Sequence, residues 1–473
     1  VRTATQGGLM AAETPLQMVG RLSAKIQRRK SDAKKWYSYY EGEQNLKFLS
    51  PEFERVYGTL YSDFRDNWCQ VVVDSTNERL MPLAFRLKDG TPDDAAWEAW
   101  RRNECDVEFS LASLDALIAK RSYALVWKPA DETEITFLDT AQAVVEYVPG
   151  QRRKRAAGFR MWHDSGRDYG VLFLPDMVYW VSRDTRGGGE WGIDDSGVNP
   201  LGVVPIVPLE NRARLNGRLI SEVEAVAPKQ DAVNALWVHL MAASDDRALP
   251  TRVVMGMDRP TREIVDDDGE VVGEEDLPLD PFRQNRLLWF EGDGATIGEY
   301  SAADLSTFTD TIGVAVKHIA AQTRTPAHYL LGDMVNVSAD ALTALESGLV
   351  AKVQERQRFF GAALREVMRL EALASGDVQR AEDLALGEVV WRDAQFRSEA
   401  QYADALTKYK AINVPDERLW EMIPGVTPSE VERWKTMRTD QATAVIGGDL
   451  ASMFGPKPDP TADPNAPQAK EGV

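Results

Sequence analysis

Pro228-Lys229-Gln230-Asp231-Ala232-Val233-Asn234-Ala235-Leu236-Trp237-Val238-His239-Leu240 decides the architecture of this chain. Val233, Leu236, Trp237 and Leu240 stand at i, i+3, i+4 and i+7, the spacing of one buried helix face. With Leu219, Ile220 and Val223 ahead of them, a helix over residues 221–246 is predicted, about 39 Å long at ~1.5 Å per residue. Pro228 lacks an amide hydrogen, so a kink or restart is expected there. A partner helix is predicted from Ser301, with Asp304 three residues on as a variant capping box. Its apolar face is Leu305, Phe308, Ile312, Val316 and Ile319. Between the two helices lie residues 251–300, with 13 acidic and 5 basic residues, a net of −8. There Asp266-Asp267-Asp268-Gly269 stands between Ile264-Val265 and Val271-Val272, and Asp-Gly between β-branched pairs signals a hairpin. Two long helices are thus interrupted by a small acidic β module.

Toward the N-terminus the pattern is mixed. Residues 1–15 are small and polar and read as frayed. Leu16, Val19, Leu22 and Ile26 predict a first helix leading to Trp36, Tyr37, Tyr39 and Tyr40. Ser50-Pro51 is a helix start. Helices are also expected across Asn67–Asp74, from Thr91-Pro92-Asp93-Asp94, and over Leu111, Leu114 and Ile118. From 122 to 210 the period becomes that of strands: 123–128, 134–138, 143–148, 157–163, 170–174 and 177–183 predict an antiparallel or mixed sheet. Gln151-Arg152-Arg153-Lys154-Arg155 falls between two of these strands. A solvated turn is the favoured reading of such a charge run, and a tip that touches phosphate or a partner is the other.

Toward the C-terminus, Ala327–Val337 is expected to be a loop. Ser338 then caps a third long helix with Leu342, Leu345, Leu349, Val353, Phe360, Leu364 and Val367 on its stripe, and Gly348 or Gly361 as kink points. A strand is expected over 388–392. Helices come next around Tyr402, Leu406 and Tyr409, around Leu419, Trp420 and Ile423, and after the capping box Thr427-Pro428-Ser429-Glu430. The Pro-, Ala- and Asp-rich end, 455–473, reads as a disordered tail.

The chain has 473 residues, 44% hydrophobic and 27% charged. That length suggests about three domains, and the composition is globular. No run of 18 apolar residues occurs, so no membrane-spanning helix is expected. The first residues lack the order of a signal peptide, which predicts a chain that stays in its cell or in a particle assembled there. The net charge of −19 argues against wrapping nucleic acid on a basic face, since phosphate affinity comes from Lys and Arg. Passage of DNA without gripping remains compatible with it. Cys69 and Cys105 form no CxxC pair and read as reduced and buried.

Catalytic signatures are missing. Gly187-Gly188-Gly189-Glu190-Trp191-Gly192 satisfies G-x-G-x-x-G, but a dinucleotide site needs a helix next, and residues 193–200 read as a loop. No Gly-Lys dipeptide exists, so no P-loop is present. His163, His239, His318 and His328 have no metal-ligand spacing, no G-x-S-x-G occurs, and Asp266-Asp267-Asp268-Gly269 lacks EF-hand spacing. No cofactor and no metal are expected, and the chain is not expected to be an enzyme. A nuclease site built from scattered carboxylates stays as an alternative, as does another ring component of a virion.

The order of elements resembles the portal protein of tailed bacteriophages, in the group found in siphophages of Gram-positive hosts. Tyr39-Tyr40-Glu41-Gly42-Glu43-Gln44 looks like the family's early Tyr-Tyr-x-Gly-x-Gln. Similar matches are Asn67-Trp68-Cys69 through Val72-Val73-Asp74, Glu78-Arg79-Leu80, and Pro228-Lys229-Gln230-Asp231 with Asn234. Ile319-Ala320-Ala321-Gln322-Thr323-Arg324-Thr325-Pro326 and Asn336-Val337-Ser338-Ala339 complete the set, with Val337 where many relatives carry Pro. The resemblance spans about residues 16–440.

It implies an α+β, multi-domain portal architecture. Residues 1–80 become an N-terminal helical region, 81–218 an α/β wing, 219–250 the first stem helix and 251–300 a β-rich clip. Residues 301–325 become the second stem helix, 326–337 the tunnel loop, 338–395 the long wing helix with a wing strand, and 396–454 a helical crown. It further implies a ring of about twelve copies at one capsid vertex of the virion, assembled in the host cytoplasm, through which double-stranded DNA is packaged and ejected. Terminase, a head–tail adaptor, and the major capsid and scaffolding proteins are the implied partners, with no membrane. Leu331, Gly332, Asp333, Met334, Val335 and Asn336 are the expected channel-lining loop residues. Asp266, Asp267, Asp268, Glu270, Glu274 and Glu275 are the expected docking residues of the clip.

Overall fold

The computed structural model describes residues 13–58, 60, 65–129, 132–186, 188–248, 252–256, 261–265, 270–276, 287–290, 294, 296–299, 304–332, 339–395, 399–423 and 425–454. Helix α1 (Pro15–Glu41) opens this part. Its start is firmer than the frayed end expected through residue 15. Thr14 accepts from the Gln17 amide, and Gln17 returns a side-chain acceptor to the Thr14 amide at 2.9 Å, a full capping box. Gly42 ends the helix at φ 76°, the left-handed conformation that glycine adopts without a Cβ penalty. The aromatic run is part of α1 rather than a segment after it.

α1 is long enough to serve two cores. Its first half lays Val19, Leu22 and Ile26 on one face of a five-stranded sheet, against Val144, Phe159, Leu172 and Val181. That antiparallel sheet runs in chain order through β4 (Ala143–Tyr147), β5 (Arg155–Asp164), β6 (Arg167–Phe173), β7 (Met177–Asp184) and β8 (Gly192–Val198). The opposite face sends Val145, Val171, Phe173 and Val178 against Tyr123, Leu125 and Ile206. Neighbours Val144 and Val145 thus enter different cores, as period-2 alternation requires. Tyr123 and Leu125 belong to β2 (Arg121–Trp127), the centre of a second antiparallel sheet with β3 (Glu134–Leu138) and β9 (Ile206–Glu210).

Two strands correct the sequence reading here. Residues 192–198 form β8, not a loop, because β7 supplies the ladder for a polar, exposed edge strand. The glycine run therefore leads into a strand, and the helix that a dinucleotide site needs is not there. β9 was not anticipated, and it contains Pro208, which has no amide hydrogen for a ladder. As an edge strand it needs ladder bonds on one side only, which tolerates the missing N–H.

The largest core gathers the second half of α1, α2 (Trp68–Asn77), α3 (Asp94–Arg102), α4 (Cys105–Ala119) and the inner face of β2. α3 is capped by Asp93, within the predicted Thr91–Asp94 start. The three-residue helix Pro51–Phe53 starts at the Ser50 cap and passes into a π turn, Glu54–Gly58. α5 (Ala227–Ala248) and α6 (Ser306–Thr323) are the paired helices. α5 begins at Ala227, one residue before Pro228 and after a 3-10 turn Val223–Ala225, so the proline lies in the first turn of a restarted helix instead of kinking a longer one. α6 begins at Ser306, later than Ser301, where the Asp304 carboxylate accepts from the Ser306 amide at 3.0 Å.

The residues between them are β-rich as expected. β11 (Thr261–Val265) and β12 (Val271–Asp276) form an antiparallel hairpin, and β10 (Arg252–Met255) lies between β13 (Leu287–Phe290) and β14 (Thr296–Glu299). The expected loop after Pro326 begins as a helix, α7 (Ala327–Leu331). Proline before it and left-handed Gly332 after it are its start and stop signals.

α8 (Ala339–Ala374) then runs unbroken for 36 residues, about 54 Å. Gly348 and Gly361 do not interrupt it. They make room, Gly348 for Arg324 and Gly361 for Trp391, whose nearest atoms would lie 3.5 and 3.3 Å from an added Cβ. α9 (Val378–Ala385), not anticipated, leads to β15 (Glu388–Trp391), which pairs with β1 (Pro82–Arg86) across the length of the chain. α10 (Glu399–Ala411), α11 (Asp416–Glu421) and α12 (Pro428–Phe454) complete the order, the last opened by the predicted Thr427–Glu430 box. The tail expected over 455–473 lies outside the described residues.

Candidate functional site

The polar residues of the Pro228–Asn234 stretch anchor the paired helices. Gln230 is fully buried. Its amide oxygen accepts from the Trp68 backbone N–H at 2.9 Å, and its amide nitrogen donates to the Asp66 carbonyl at 2.7 Å and to Asn234 at 3.1 Å. Asp231, also buried, accepts from Tyr39 at 2.8 Å and pairs with Lys47 at 3.0 Å. Trp237 donates to the Asp66 carboxylate at 2.5 Å. Burial raises the Asp66 carboxyl, and that indole bond opposes the rise. Gln230, Asp231 and Asn234, the buried polar side chains that this turn introduces, therefore each meet a partner, as the cost of leaving one unpaired demands. Above the anchor, Val233 and Leu240 of α5 pack on Ile312 and Val316 of α6, with Leu236, Trp237 and Phe308 at the margin.

The far end of α6 turns sharply. Arg324 caps it at φ 56°, and Thr323 donates to the Ile319 carbonyl at 2.8 Å. Pro326 starts α7, whose Leu330 and Leu331 pack back on the α5–α6 cluster. Leu331 is half-buried there, and Gly332 is exposed at φ 71°. Asp333, Met334, Val335 and Asn336 lie outside the described residues. α7 is clamped from three sides. The Trp68 indole donates to the Leu330 carbonyl at 3.1 Å, Arg79 donates to the Tyr329 hydroxyl at 2.7 Å, and Tyr329 donates to Glu346 at 2.9 Å. Arg79 also reaches the Ala394 carbonyl at 2.8 Å. Burial, then the Glu346 bond, raises the Tyr329 hydroxyl, so it stays a donor.

In the β module, Glu270 is exposed. Glu274 accepts from the Thr261 hydroxyl at 3.0 Å, and Glu275 pairs with Arg262 directly across the hairpin. Glu263 and Glu274 stand opposite each other, a like-charge pair that disfavours the hairpin slightly. Asp266, Asp267 and Asp268 lie outside the described residues; of the other three predicted acidic residues, Glu274 and Glu275 are neighbours on β12.

Several buried groups have displaced protonation. Burial pushes both thiols up, Cys105 to about 12, so both stay protonated. Glu222 is buried between Lys352 at 3.3 Å and Arg356 at 2.6 Å, with Asn211 donating at 3.0 Å. Burial opposes its charge, but the two cations prevail and hold its carboxyl down to about 2. Among the described residues no group of three His, Cys, Asp or Glu side chains is placed to hold a metal. The sequence reading missed Glu346, Lys352 and Arg356. The signal was present: all three interrupt the apolar stripe of α8 at helical spacing from Leu342, Leu349 and Val353.

This arrangement has relatives. The portal protein of Mycobacterium phage D29 is 28% identical over 452 residues, covering 90% of this chain and 89% of the relative. The portal protein of Mycobacterium phage L5 is 27% identical over 499 residues, covering 99% of each. Among solved structures, a chain from the neck of a native gene transfer agent particle matches at 15% identity with a TM-score of 0.43, covering 75% of this chain and 88% of that one. The family model described as "Phage portal protein, SPP1 Gp6-like" matches residues 20–444, an interval that takes in the α5 anchor, the α7 clamp and the β module between the paired helices. The chain belongs to that family of phage portal proteins.

Proposed function

We propose that this portal protein closes into a ring of about twelve copies at one capsid vertex and forms the channel for double-stranded DNA. The observation that carries this reading is the anchored α5–α6 pair with an acidic β module between its two halves. A pair fixed at its base by Gln230 and Asp231 is a stiff strut, and a ring of such struts makes a wall. In this reading residues 219–250 and 301–325 are the stem, 251–300 the clip, 81–218 the wing, 338–395 the wing helix and strand, and 396–454 the crown. The module's net charge of −8 repels phosphates, so DNA passes without the ion-pairing that would hold it. The chain itself performs no chemistry; a terminase docked on the clip, at Asp266–Asp268, Glu270, Glu274 and Glu275, supplies the energy. A head–tail adaptor, capsid and scaffolding proteins are the other partners, and assembly takes place in the host cytoplasm.

Native mass spectrometry of the purified chain tests the assembly. Closed rings of about twelve or thirteen subunits are expected. Only monomers or dimers at micromolar concentration, across several salt conditions, would overturn it.

The narrowest part of the channel is proposed at Gly332–Asn336, beyond the α7 clamp, with Leu331 seated on its own stem. This stretch carries no Lys or Arg, so its contact with DNA is steric and weakly polar. Asp333→Lys is expected to slow or block DNA movement while rings still form. Packaging and retention at wild-type levels would refute the placement.

A further inference from the structure

We propose that the turn between β4 and β5, with the two hollows beside it, is a binding site for an acidic peptide segment of a partner protein. The turn carries Arg152, Arg153, Lys154 and Arg155 in succession, in a chain whose net charge is −19. It is a built turn: the Val148 N–H donates to the Lys154 carbonyl at 2.8 Å, Gln151 to Val148 at 2.9 Å, and Gly150 takes φ 77°. Like charges are thereby held close together on one rigid tip.

A hollow lies on each side. One, about 490 Å³, is closed by the 202–204 loop and by Glu366 and Arg369 of α8. The other, about 560 Å³, is closed by Lys25 and Arg29 of α1, by Arg121, and by the 213–217 loop with Arg214. Together nine cations and three carboxylates line them. The carboxylates are already engaged. Glu366 pairs with Arg155 at 2.6 Å and Arg369 at 2.7 Å, Glu146 with Arg21 at 2.7 Å and Lys25 at 3.0 Å, and Glu210 with Arg121 at 3.8 Å. Arg29, Arg152, Arg153, Lys154 and Arg214 have no carboxylate within ion-pair distance among the described residues. Arg29 is the most telling. It lines the second hollow half-buried, donates to the Tyr123 hydroxyl, and has Arg121 as a neighbouring like charge, offset in part by Glu210, which is itself paired with Arg121 beyond ion-pair reach of Arg29. A desolvated cation beside another cation is costly unless an anion joins it.

Peptide carboxylates suit the site better than a duplex does. Each hollow has the volume of a small-ligand cleft, ~300–1,000 Å³, so a side chain enters where a duplex backbone does not. Each also has apolar walls, Val145, Val148 and Leu219 in one and Pro175, Val203 and Val204 in the other. A peptide can set apolar groups there between its carboxylates, whereas a phosphate backbone has none to offer. The proposal does not depend on ring closure.

Fluorescence anisotropy with the full chain and a fluorescein-labelled decaglutamate peptide tests it. Saturable binding is expected at about 50 mM NaCl and should weaken about tenfold by ~300 mM, as screened ion pairs do. The triple variant Arg152→Glu, Arg153→Glu, Lys154→Glu is expected to weaken binding by at least about tenfold. Arg29→Gln should weaken it separately, and Lys408→Glu, an exposed charge on α10, should not. Circular dichroism confirms that each variant folds. Absence of saturable binding, or unchanged affinity in both the triple variant and Arg29→Gln, would overturn the proposal. So would tighter binding of a labelled duplex DNA of about 20 base pairs, which would make this a nucleic-acid surface. Loss of ring assembly in the folded triple variant would also overturn it, because the occupant would then be a second copy of the chain.

Discussion

Glu222→Ala is expected to lower the stability of the folded chain by about 3–5 kcal/mol at neutral pH. Glu222 is buried, and so are both of its cationic partners, Lys352 and Arg356. Truncation leaves two cations in a dry interior with no counter-ion. Burial already pushes the Lys352 ammonium below its ordinary range, and losing the carboxylate pushes it further. The Asn211 amide loses an acceptor as well. These residues join α8 to the segment just before α5, so the loss falls where the long helix meets the stem. Thermal or urea unfolding, monitored by circular dichroism, measures the change. Replacing all three charges by apolar residues of similar volume should recover most of it, because the penalty comes from breaking the pair rather than from lacking it. A loss below about 1 kcal/mol in Glu222→Ala would show that water reaches the triad.

The same residue sets an acid limit. Its folded pKa, about 2, lies below the ordinary carboxylate value of 4.5. A depressed pKa means that the charged form is favoured by folding. The contribution is therefore fully present above about 4.5 and lost as pH falls toward 2. Over that window it amounts to about 3 kcal/mol. Stability of the wild-type chain should fall steeply between these values, and that of Glu222→Ala should fall less.

How far these features could be read in advance depended on where each residue finds its partner. α1, α2, α5 and α12 announce themselves through apolar spacing and caps, all of which are local. β3 was legible to the residue, because Glu134–Leu138 alternates and is bounded by turns. β8 was not, because Gly192-Ile193-Asp194-Asp195-Ser196-Gly197-Val198 owes its extension to pairing with β7. β1 and β15 meet over about three hundred residues of chain, a separation that no local pattern encodes. The candidate site divides in the same way. The acidic hairpin and the helix pair were visible in composition and period. The clamp on α7 and the Glu222 triad were visible only as oddities: Glu346 of the clamp and Lys352 and Arg356 of the triad are charges on a stripe that should be apolar. Such positions mark buried ion pairs, but the sequence does not say with whom.

Arg79 shows what the oddity at Glu346 encodes, and its replacement carries the other large expected effect. Arg79→Leu is expected to cost about 3–5 kcal/mol, for a reason specific to its place. The guanidinium lies 3% exposed and holds three elements at once: Tyr329 of α7, Glu346 of α8 at 3.4 Å, and the Ala394 carbonyl beyond β15. Leucine fills the volume but leaves Glu346, itself 9% exposed, with Tyr329 as its remaining donor among these, and leaves the Ala394 carbonyl short of one. Lysine should not rescue, since one ammonium cannot reach both the Tyr329 hydroxyl and the Ala394 carbonyl as the guanidinium fork does. Arg79→Leu combined with Glu346→Leu should be less damaged than Arg79→Leu alone, and the double-mutant cycle should show coupling of about 1–3 kcal/mol. Because α7 leads directly into the proposed channel loop, the single variant should also loosen the Trp68–Leu330 contact and shift Trp68 fluorescence before global unfolding. If Arg79→Leu melts as the wild type does, or if the two losses simply add, the clamp does not hold α7, and the channel loop must take its position from neighbouring subunits instead.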